Sequence, residues 1–309
     1  MPDQKCREEY VRRIHKVQDY IECYLEKSLS IEELSSAAGF SKYHFSRIFL
    51  GMLHEPPAHY VNRIRMEKAL FFLAHRTDKN MTDIAYKLGF SDSAVFSRSF
   101  KNYYGVSPRQ YRKEYSKNCK DLFLLSEYNK VTAKKEWGNN PFPVTGEIHM
   151  ENMEEKKVVY VRHTGTYETL AKEYPGMIEI LFHHAERQHL LVKGLNWLLA
   201  MYHDNPEFGE ESQFRTSLCL TVPEQMEIRK DGVLGQMSLN GGLYAVGHFR
   251  ILSNQYSDAW NYMYQEWITG SGYVPRNDRP FEVYRNNPNT SEGQISEVDI
   301  YVPIEPIHF

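Results

Sequence analysis

The sequence predicts two domains, an all-α half followed by an α+β half, and three observations carry that expectation. The stretch GFSKYHFSRIF (39–49) returns fifty residues later as GFSDSAVFSRSF (89–100), so the front half is built on a repeated unit. Apolar residues recur there at helical spacing, whereas from about residue 147 they alternate as in strands. The charge also changes sign. Through Asn118 there are 20 Lys+Arg against 14 Asp+Glu, and beyond it 17 against 26. At 309 residues the chain is too long for one ordinary domain and comfortable for two. The expected boundaries are 1–118 for the helical domain, 119–146 for a connection and 147–309 for the sheet domain; the Pro/Gly-rich WGNNPFPVTGE (137–147) marks the end of that connection.

Each copy of the repeat reads helix, glycine turn, helix. Ser30 with Glu33 three residues on forms a capping box ahead of Ile31 and Leu34. Gly39 and Gly89 fall where a helix ends in a left-handed residue, and Ser41 and Ser91 are the expected caps of the helices that follow. Pro57 and Pro108 suit the first turn of another helix. The copies align at an offset of fifty up to Ser41/Ser91, then at 51 from Phe45/Phe96 onward, as if one residue were inserted at the start of the second helix. Phe45, Ile48, Phe49 and Met52 make one apolar stripe, and Phe96, Phe100 and Tyr103 the other. The opposite faces carry Tyr43, Ser46, Arg47 and Leu50 in the first copy and Ser93, Ser97, Arg98 and Lys101 in the second. The stretch 58–74 reads as a long helix between the units.

A short helix with hydroxyls and a cation on its exposed face suits the major groove of DNA. Arginine grips guanine O6/N7 with two hydrogen bonds, serine pairs with either partner, and apolar groups touch the thymine methyl. The cationic sign of the front half fits a polyanion, and the acidic rear half does not. A helical bundle whose exposed face meets only water is the alternative.

These residues also carry a resemblance. GFSKYHFSRIF, PPAHYVNRIRMEKA and MTDIAYKLGFSDSAVFSRSFKNYYGVSPRQYRK resemble the AraC/XylS family of bacterial transcription regulators over about residues 8–115. The resemblance implies two recognition helices in successive major grooves, joined by a rigid central helix. Carried over, Tyr43, Ser46 and Arg47 become the first base readers, and Ser93, Ala94, Val95, Ser97 and Arg98 the second reading face. Lys101 and Arg109 are expected on phosphate, which positions without specifying. Ala94 and Val95 stand where some close relatives have amides, so the second helix is expected to read through methyl contact and DNA shape.

In the rear half, 156–165, 215–222, 241–250, 281–288 and 297–304 read as strands, and 166–188 and 253–268 as helices. Two β-α-β-β halves in an α+β sheet is the economical architecture. Trp260, Tyr264 and Trp267 follow i, i+4, i+7, with Tyr256 one turn earlier. Core packing is one reading of that stripe and a ligand cleft the other. Glu282 sits inside the apolar strand PFEVY and shares a face with Tyr284. Buried, its carboxylate needs a counter-charge or several donors, and a cation among aromatic rings supplies one. A wet face, or a pair with Arg285, is the alternative.

VVYVRHTGTYETL, LLAMYHDNP, the run from YAVGHF to RNNP, and VDIYVPI resemble the GyrI-like small-molecule-binding domain over about residues 147–304. The resemblance implies a cleft for hydrophobic or cationic compounds. By motif its contacts are Glu282, Tyr284, Trp260, Tyr167 and Tyr301, with Glu266 as a second carboxylate. Phe249-Arg250 replaces the Thr164-Gly165 of the first half, which predicts a narrower and more positive cleft wall. A DNA-binding module first and a GyrI-like module last is the order of the Rob type of AraC/XylS regulators.

The expected function is a DNA-binding transcription regulator, an activator, acting as a monomer on double-stranded promoter DNA. By resemblance its other partners are RNA polymerase and a small-molecule effector. Two further readings stay open: a hydrolase of reactive toxins using Glu266 or Glu282, or a ligand-free docking module. No P-loop, nucleophile elbow or dinucleotide fingerprint is present, and no cofactor is expected. His183, His184 and His189 read as a surface cluster, so no metal is expected. No 18-residue apolar run or apolar leader is seen, and the four scattered cysteines fit reduced thiols, so the expected location is cytoplasmic.

Overall fold

A computed structural model describes residues 4–76, 78–118, 144, 146–204, 211–229, 233–287 and 295–306; within these, the side chains of 4–8, 43, 115–118, 265, 266 and 269 are not described. The expected connection 119–146 lies outside the described residues except for 144 and 146. The chain divides into two compact units, Met1–Leu122 and Phe123–Phe309.

The front unit is helical: α1 (Gln4–Cys23), α2 (Ile31–Ala38), α3 (Lys42–Leu53), α4 (Pro57–His75), α5 (Met81–Lys87), α6 (Ser93–Tyr104) and α7 (Pro108–Asn118). Ser30 Oγ accepts from the Glu33 N–H at 3.2 Å and Glu33 returns the bond at 2.9 Å, the expected capping box. Asn80 and Asp83 form the equivalent box on α5. Ser41 caps α3, but Ser91 does not cap α6. Asp92 does, accepting from the Ala94 and Val95 N–H groups at 2.7 and 2.8 Å. The inserted residue explains the change. It lies in the turn, not in the helix, so Asp92 takes the place of Ser41 and α3 and α6 match residue for residue over twelve positions.

That match extends to the core. Phe45, Phe49, Phe96 and Phe100 are fully buried. The rings of Phe49 and Tyr60 meet edge-on at 5.4 Å, and those of Phe100 and Tyr111 at 6.0 Å. Tyr103 departs from expectation: it is exposed, and Tyr104 packs on Phe100 instead, at 4.9 Å. A helix brings i and i+4 onto one stripe, and Phe96, Phe100 and Tyr104 follow that spacing.

Each glycine turn is held by an arginine from the helix that precedes its helix-turn-helix unit. Arg13 of α1 donates to Gly39 O at 3.0 Å and lies over the Phe40 ring. Arg65 of α4 lies over Phe90 and donates to Leu25 O and Lys27 O at 3.2 and 2.7 Å. Arg65 thereby ties the end of α1, the central helix and the second turn together.

The rear unit is an antiparallel sheet with helices on one face. Its strands are β1 (Glu147–Met153), β2 (Lys156–Thr164), β3 (Leu198–Tyr202), β4 (Arg215–Val222), β5 (Gly235–Leu239), β6 (Gly242–Ile251), β7 (Tyr273–Pro275), β8 (Phe281–Tyr284) and β9 (Ser296–Pro306). The order is β1-β6-β9-β8-β3-β4-β2-β5, with β7 on β9. Strands β1, β3, β5 and β7 were not among those the alternation marked. The two halves exchange edges: β1 pairs with β6 of the second half, and β5 with β2 of the first. Two-residue connections then join β1 to β2 and β5 to β6, which lie at opposite ends of that order. The ends are therefore drawn together, and a Cβ on Gly241 would sit 3.0 Å from Glu155 N and 3.1 Å from Met153 O. The sheet curls around an inner layer that includes Val158, Tyr160, Leu199, Met201, Tyr244, Phe281, Val283 and Tyr301.

Helix α8 (Tyr167–Arg187) packs outside this sheet on Val159, Leu218 and Leu220. Helix α9 (Tyr256–Asn261) continues into a π-helical segment, Tyr262–Ile268, and packs on Ala245, Phe249 and Ile300. Pro175 lies inside α8, where it removes one main-chain donor without ending the helix, and α9 gives way to the π segment at its C-terminal end.

Gly89 combines a φ of +74° with a Cβ direction that meets Arg65 at 2.5 Å and Leu25 O at 2.6 Å. Left-handed backbone costs a residue with a side chain about 1–2 kcal/mol, before any collision. Gly89→Ala should therefore lower the stability of the helical unit by about 2 kcal/mol or more, read from the shift of the denaturant midpoint followed by helical circular dichroism.

Candidate functional site

The first candidate site is the paired outer faces of α3 and α6. Arg47 and Arg98 occupy equivalent positions and both are exposed, as are Ala94, Lys101 and Arg109. Ser46 and Ser97, also equivalent, are half-buried and turn inward along their own helices, donating to Lys42 O at 3.2 Å and Ser93 O at 2.7 Å. Their hydroxyl protons are used there, which leaves oxygen lone pairs for any outside donor. Ser93 and Val95 are half-buried, and the Tyr43 side chain is outside what the structure describes. Asp92 at the head of α6 is held below the usual carboxylate range, chiefly by the Val95 and Ala94 N–H groups and further by Arg98. A fixed negative charge at that end is compatible with the helix dipole.

The second site is centred on Glu282 in β8. Pairing with Ala200 and Ile300 turns it toward the helices. It is 2% exposed, and every bond recorded to its carboxylate comes from a neutral donor. Trp260 Nε1 donates to Oε1 at 2.5 Å, Tyr284 OH donates to Oε2 at 3.0 Å, and Tyr202 is the third donor. Burial pushes the Glu282 carboxyl up, and the three donors oppose that shift. Arg285, the cation considered from sequence, is turned to the inner face, where its Nε donates to Asp299 at 2.5 Å.

Aromatic rings wall this carboxyl. Trp260 meets Tyr202 edge-on at 5.7 Å and stacks on Tyr264 at 6.1 Å. Tyr167 lies 6.3 Å from Tyr202 and 5.6 Å from Phe214, and Tyr174 meets Tyr284 at 6.2 Å. Tyr256 bonds Ser296, and burial pushes its hydroxyl up to about 12. Tyr167, Tyr174, Tyr202, Trp260, Tyr264 and Tyr284 are half-buried residues gathered around the buried carboxyl.

Glu282, Tyr284, Trp260, Tyr264 and Tyr167 are thus brought together. Tyr301 is not. It pairs with Phe281 and stacks on that ring at 4.7 Å, on the inner face, because neighbouring positions of a strand point to opposite sides. Arg250 is not in the cleft wall either: its side chain is 73% exposed and pairs with Glu297. Trp267 stacks on Tyr273 at 6.5 Å, away from the carboxyl. The Glu266 side chain lies outside what the structure describes. Tyr202 and Tyr174 were missed, although Leu198, Ala200 and Tyr202 share one face of the LLAMY strand, a pattern open to reading in the sequence.

Among the described residues no group of three or more His, Cys, Asp or Glu is placed to hold a metal, and no helix is long and apolar enough to cross a membrane.

Two matched helix-turn-helix units, followed by a duplicated, curled sheet with a buried carboxyl among aromatic residues, define a class of protein in which a DNA-binding type of unit precedes an α+β unit. The GyrI-like small molecule binding domain matches residues 146–305, and the chain belongs to that family. A helix-turn-helix domain matches residues 34–114, and the region is of the AraC type. YkgA of Escherichia coli K12, named as an HTH-type transcriptional regulator, is 36% identical over 124 residues, covering 39% of this chain and 52% of YkgA. An HTH-type transcriptional regulator of Staphylococcus aureus is 40% identical over 100 residues, covering 32% of this chain and 13% of that protein. The chain thus spans about half the length of the first relative and far less of the second. Among solved structures, the C-terminal domain of AraT, a response regulator from Geobacillus stearothermophilus, is 30% identical with a TM-score of 0.32, covering 33% of this chain and 84% of that one.

The raised Glu282 carboxyl has a signed consequence. Above its ordinary value of 4.5 the unfolded chain releases this proton before the folded one does, so stability falls as pH rises toward the folded value. Glu282→Gln removes that slope. Its melting temperature should gain on the parent's as pH rises from 4.5, and the two should converge below 4.5, measured by scanning calorimetry across pH.

Proposed function

We propose that the chain is a transcription activator that reads an asymmetric promoter site through α3 and α6 and binds a cationic, aromatic compound at Glu282. The match of α3 and α6, with Arg47 and Arg98 exposed at the same helical position, supports the DNA reading. Two grooves about one turn apart correspond to roughly 34–36 Å of duplex, and because the two helices of one chain differ in sequence, the site they fill has no dyad. RNA polymerase is the proposed protein partner of the DNA-bound chain.

The single observation that carries the effector reading is the Glu282 carboxyl, buried among neutral donors with aromatic walls. A bound cation supplies the missing counter-charge, and the rings of Trp260 and Tyr202 add attraction for its positive face. Neutral amphiphiles gain only the apolar walls. The site therefore discriminates by charge, and the carboxyl is the discriminating group.

On DNA, Arg47→Ala should cost about 1–3 kcal/mol and relax preference at one base position, whereas Lys101→Ala should weaken all sequences alike. Selection of binding sites for each variant measures both, and absence of any protected footprint at low salt would overturn the DNA reading. In the cleft, a bound cation lowers the Glu282 value, so binding releases a proton and tightens as pH rises. Calorimetric titration with tetraphenylphosphonium in buffers of different ionisation enthalpy should show that release, and Glu282→Gln should abolish it.

A further inference from the structure

A second chemical constellation lies at the junction of β2 and α8, formed by residues to which the Glu282 reading gives no role. His163 is 5% exposed near the end of β2, facing the helices. Its Nδ1 is 2.9 Å from Glu173 Oε2, and its Nε2 is 3.1 Å from Thr169 Oγ1. Glu173 and Thr169 lie one turn apart on α8 and hold the two ends of one imidazole. A carboxylate at Nδ1 fixes the proton there and turns the Nε2 lone pair toward the hydroxyl. Hydroxyl, imidazole and carboxylate in that sequence of contacts is the arrangement that activates an oxygen nucleophile.

The surroundings suit that role. Thr169 is an exposed residue at the start of α8. Its hydroxyl donates to Thr166 O at 2.8 Å and lies 3.3 Å from Thr166 Oγ1, so its proton has to turn from that carbonyl to His163 Nε2 before it can be carried away. Thr166 caps α8, its Oγ1 accepting from the Thr169 N–H at 3.2 Å, and the first turn of a helix directs its other N–H groups toward its own start. Gly165 passes so close that a Cβ would sit 2.8 Å from Thr169 Oγ1 and 2.9 Å from His163 Nε2. The backbone therefore shields one side of the reacting pair. Beside them, the Tyr167 and Phe214 rings, 5.6 Å apart, offer an apolar shelf.

We propose that Thr169, His163 and Glu173 form an acyl-transfer centre that hydrolyses carboxylic esters bearing an aromatic group. Thr169 Oγ1 forms a bond to the ester carbonyl carbon while its proton passes to His163 Nε2. The carbon–alkoxy bond then breaks, and the leaving oxygen takes that proton. Water, deprotonated by His163, attacks the acyl-threonine and restores the hydroxyl, with the carboxylic acid as product. Thr169 and His163 are the catalytic residues, and Glu173 is a positioning residue. The reacting groups do not depend on what Glu282 binds, because they lie on a different strand and helix face and need no cation; only the Tyr167 ring is shared with the walls around Glu282.

The test uses the full chain and 4-nitrophenyl acetate. The expected result is a burst of 4-nitrophenolate stoichiometric with protein, with an acetyl group located on Thr169 by mass spectrometry. Thr169→Ala should remove the burst and slow turnover by about 10²-fold or more. Thr169→Ser should retain both, which separates chemistry from folding. Glu173→Gln should slow turnover and displace the acid limb of the pH–rate profile, a change that a purely structural contact would not produce. His183→Gln, an exposed histidine on the same helix, should leave the rate unchanged and controls for esterolysis by surface imidazole. Parental turnover in Thr169→Ala, acetylation of histidine or lysine instead of Thr169, or loss of activity in a folded Thr169→Ser would each overturn the proposal.

Discussion

Two short connections govern the rear unit. Because β1 joins β2, and β5 joins β6, through two residues each while lying at opposite ends of the strand order, the sheet has no flat solution. It must curl until its ends meet. Curling makes one face an interior, filled by rings such as Tyr160, Tyr244, Phe281 and Tyr301, and leaves the other face to the helices. Everything at the candidate cleft follows from that division. Glu282 points outward with Ala200 and Ile300, Tyr301 points inward with Phe281, and no side-chain preference could exchange them. A buried carboxyl under these helices is a costly place for a charge unless an opposite charge is supplied.

The front unit depends on a different constraint, the left-handed turn and the arginine that covers it. Arg13 and Arg65 do the same work in the two copies, each over the phenylalanine of its own turn and each bonded to main-chain carbonyls. Arg65 also reaches back to the end of α1, so the central helix is not merely a spacer. It fixes where the second unit begins relative to the first. The buried Arg63, paired with Glu55 and Glu67, holds the middle of the same helix. Two exposed helices at a fixed separation are what the proposed asymmetric DNA site requires.

Much of this was open to reading in the chain. The repeat, the glycine stops, the inward phenylalanines and the outward arginines are local features, set by helical spacing and by backbone angles that only glycine adopts readily. Glu282 was visible because a carboxylate inside an apolar strand has to be explained. Ser91 misled because an insertion in a turn and one in a helix look alike in an alignment, and only the capping bonds of Asp92 distinguish them. Tyr202 and Tyr174 were hidden because they come from elements distant in sequence that the sheet order places beside β8.

By itself the sequence determined the units, their order, the residue types available for each task and the identity of the unusual carboxylate. These depend on short-range physics: spacing, capping and turn chemistry. Only the tertiary structure decided which aromatic groups face Glu282, which cation does not, and that His163 stands between Thr169 and Glu173. Those choices depend on strand register and sheet curvature, where a one-residue change of parity sends a side chain to the opposite face. No local pattern encodes which distant strand will be the neighbour.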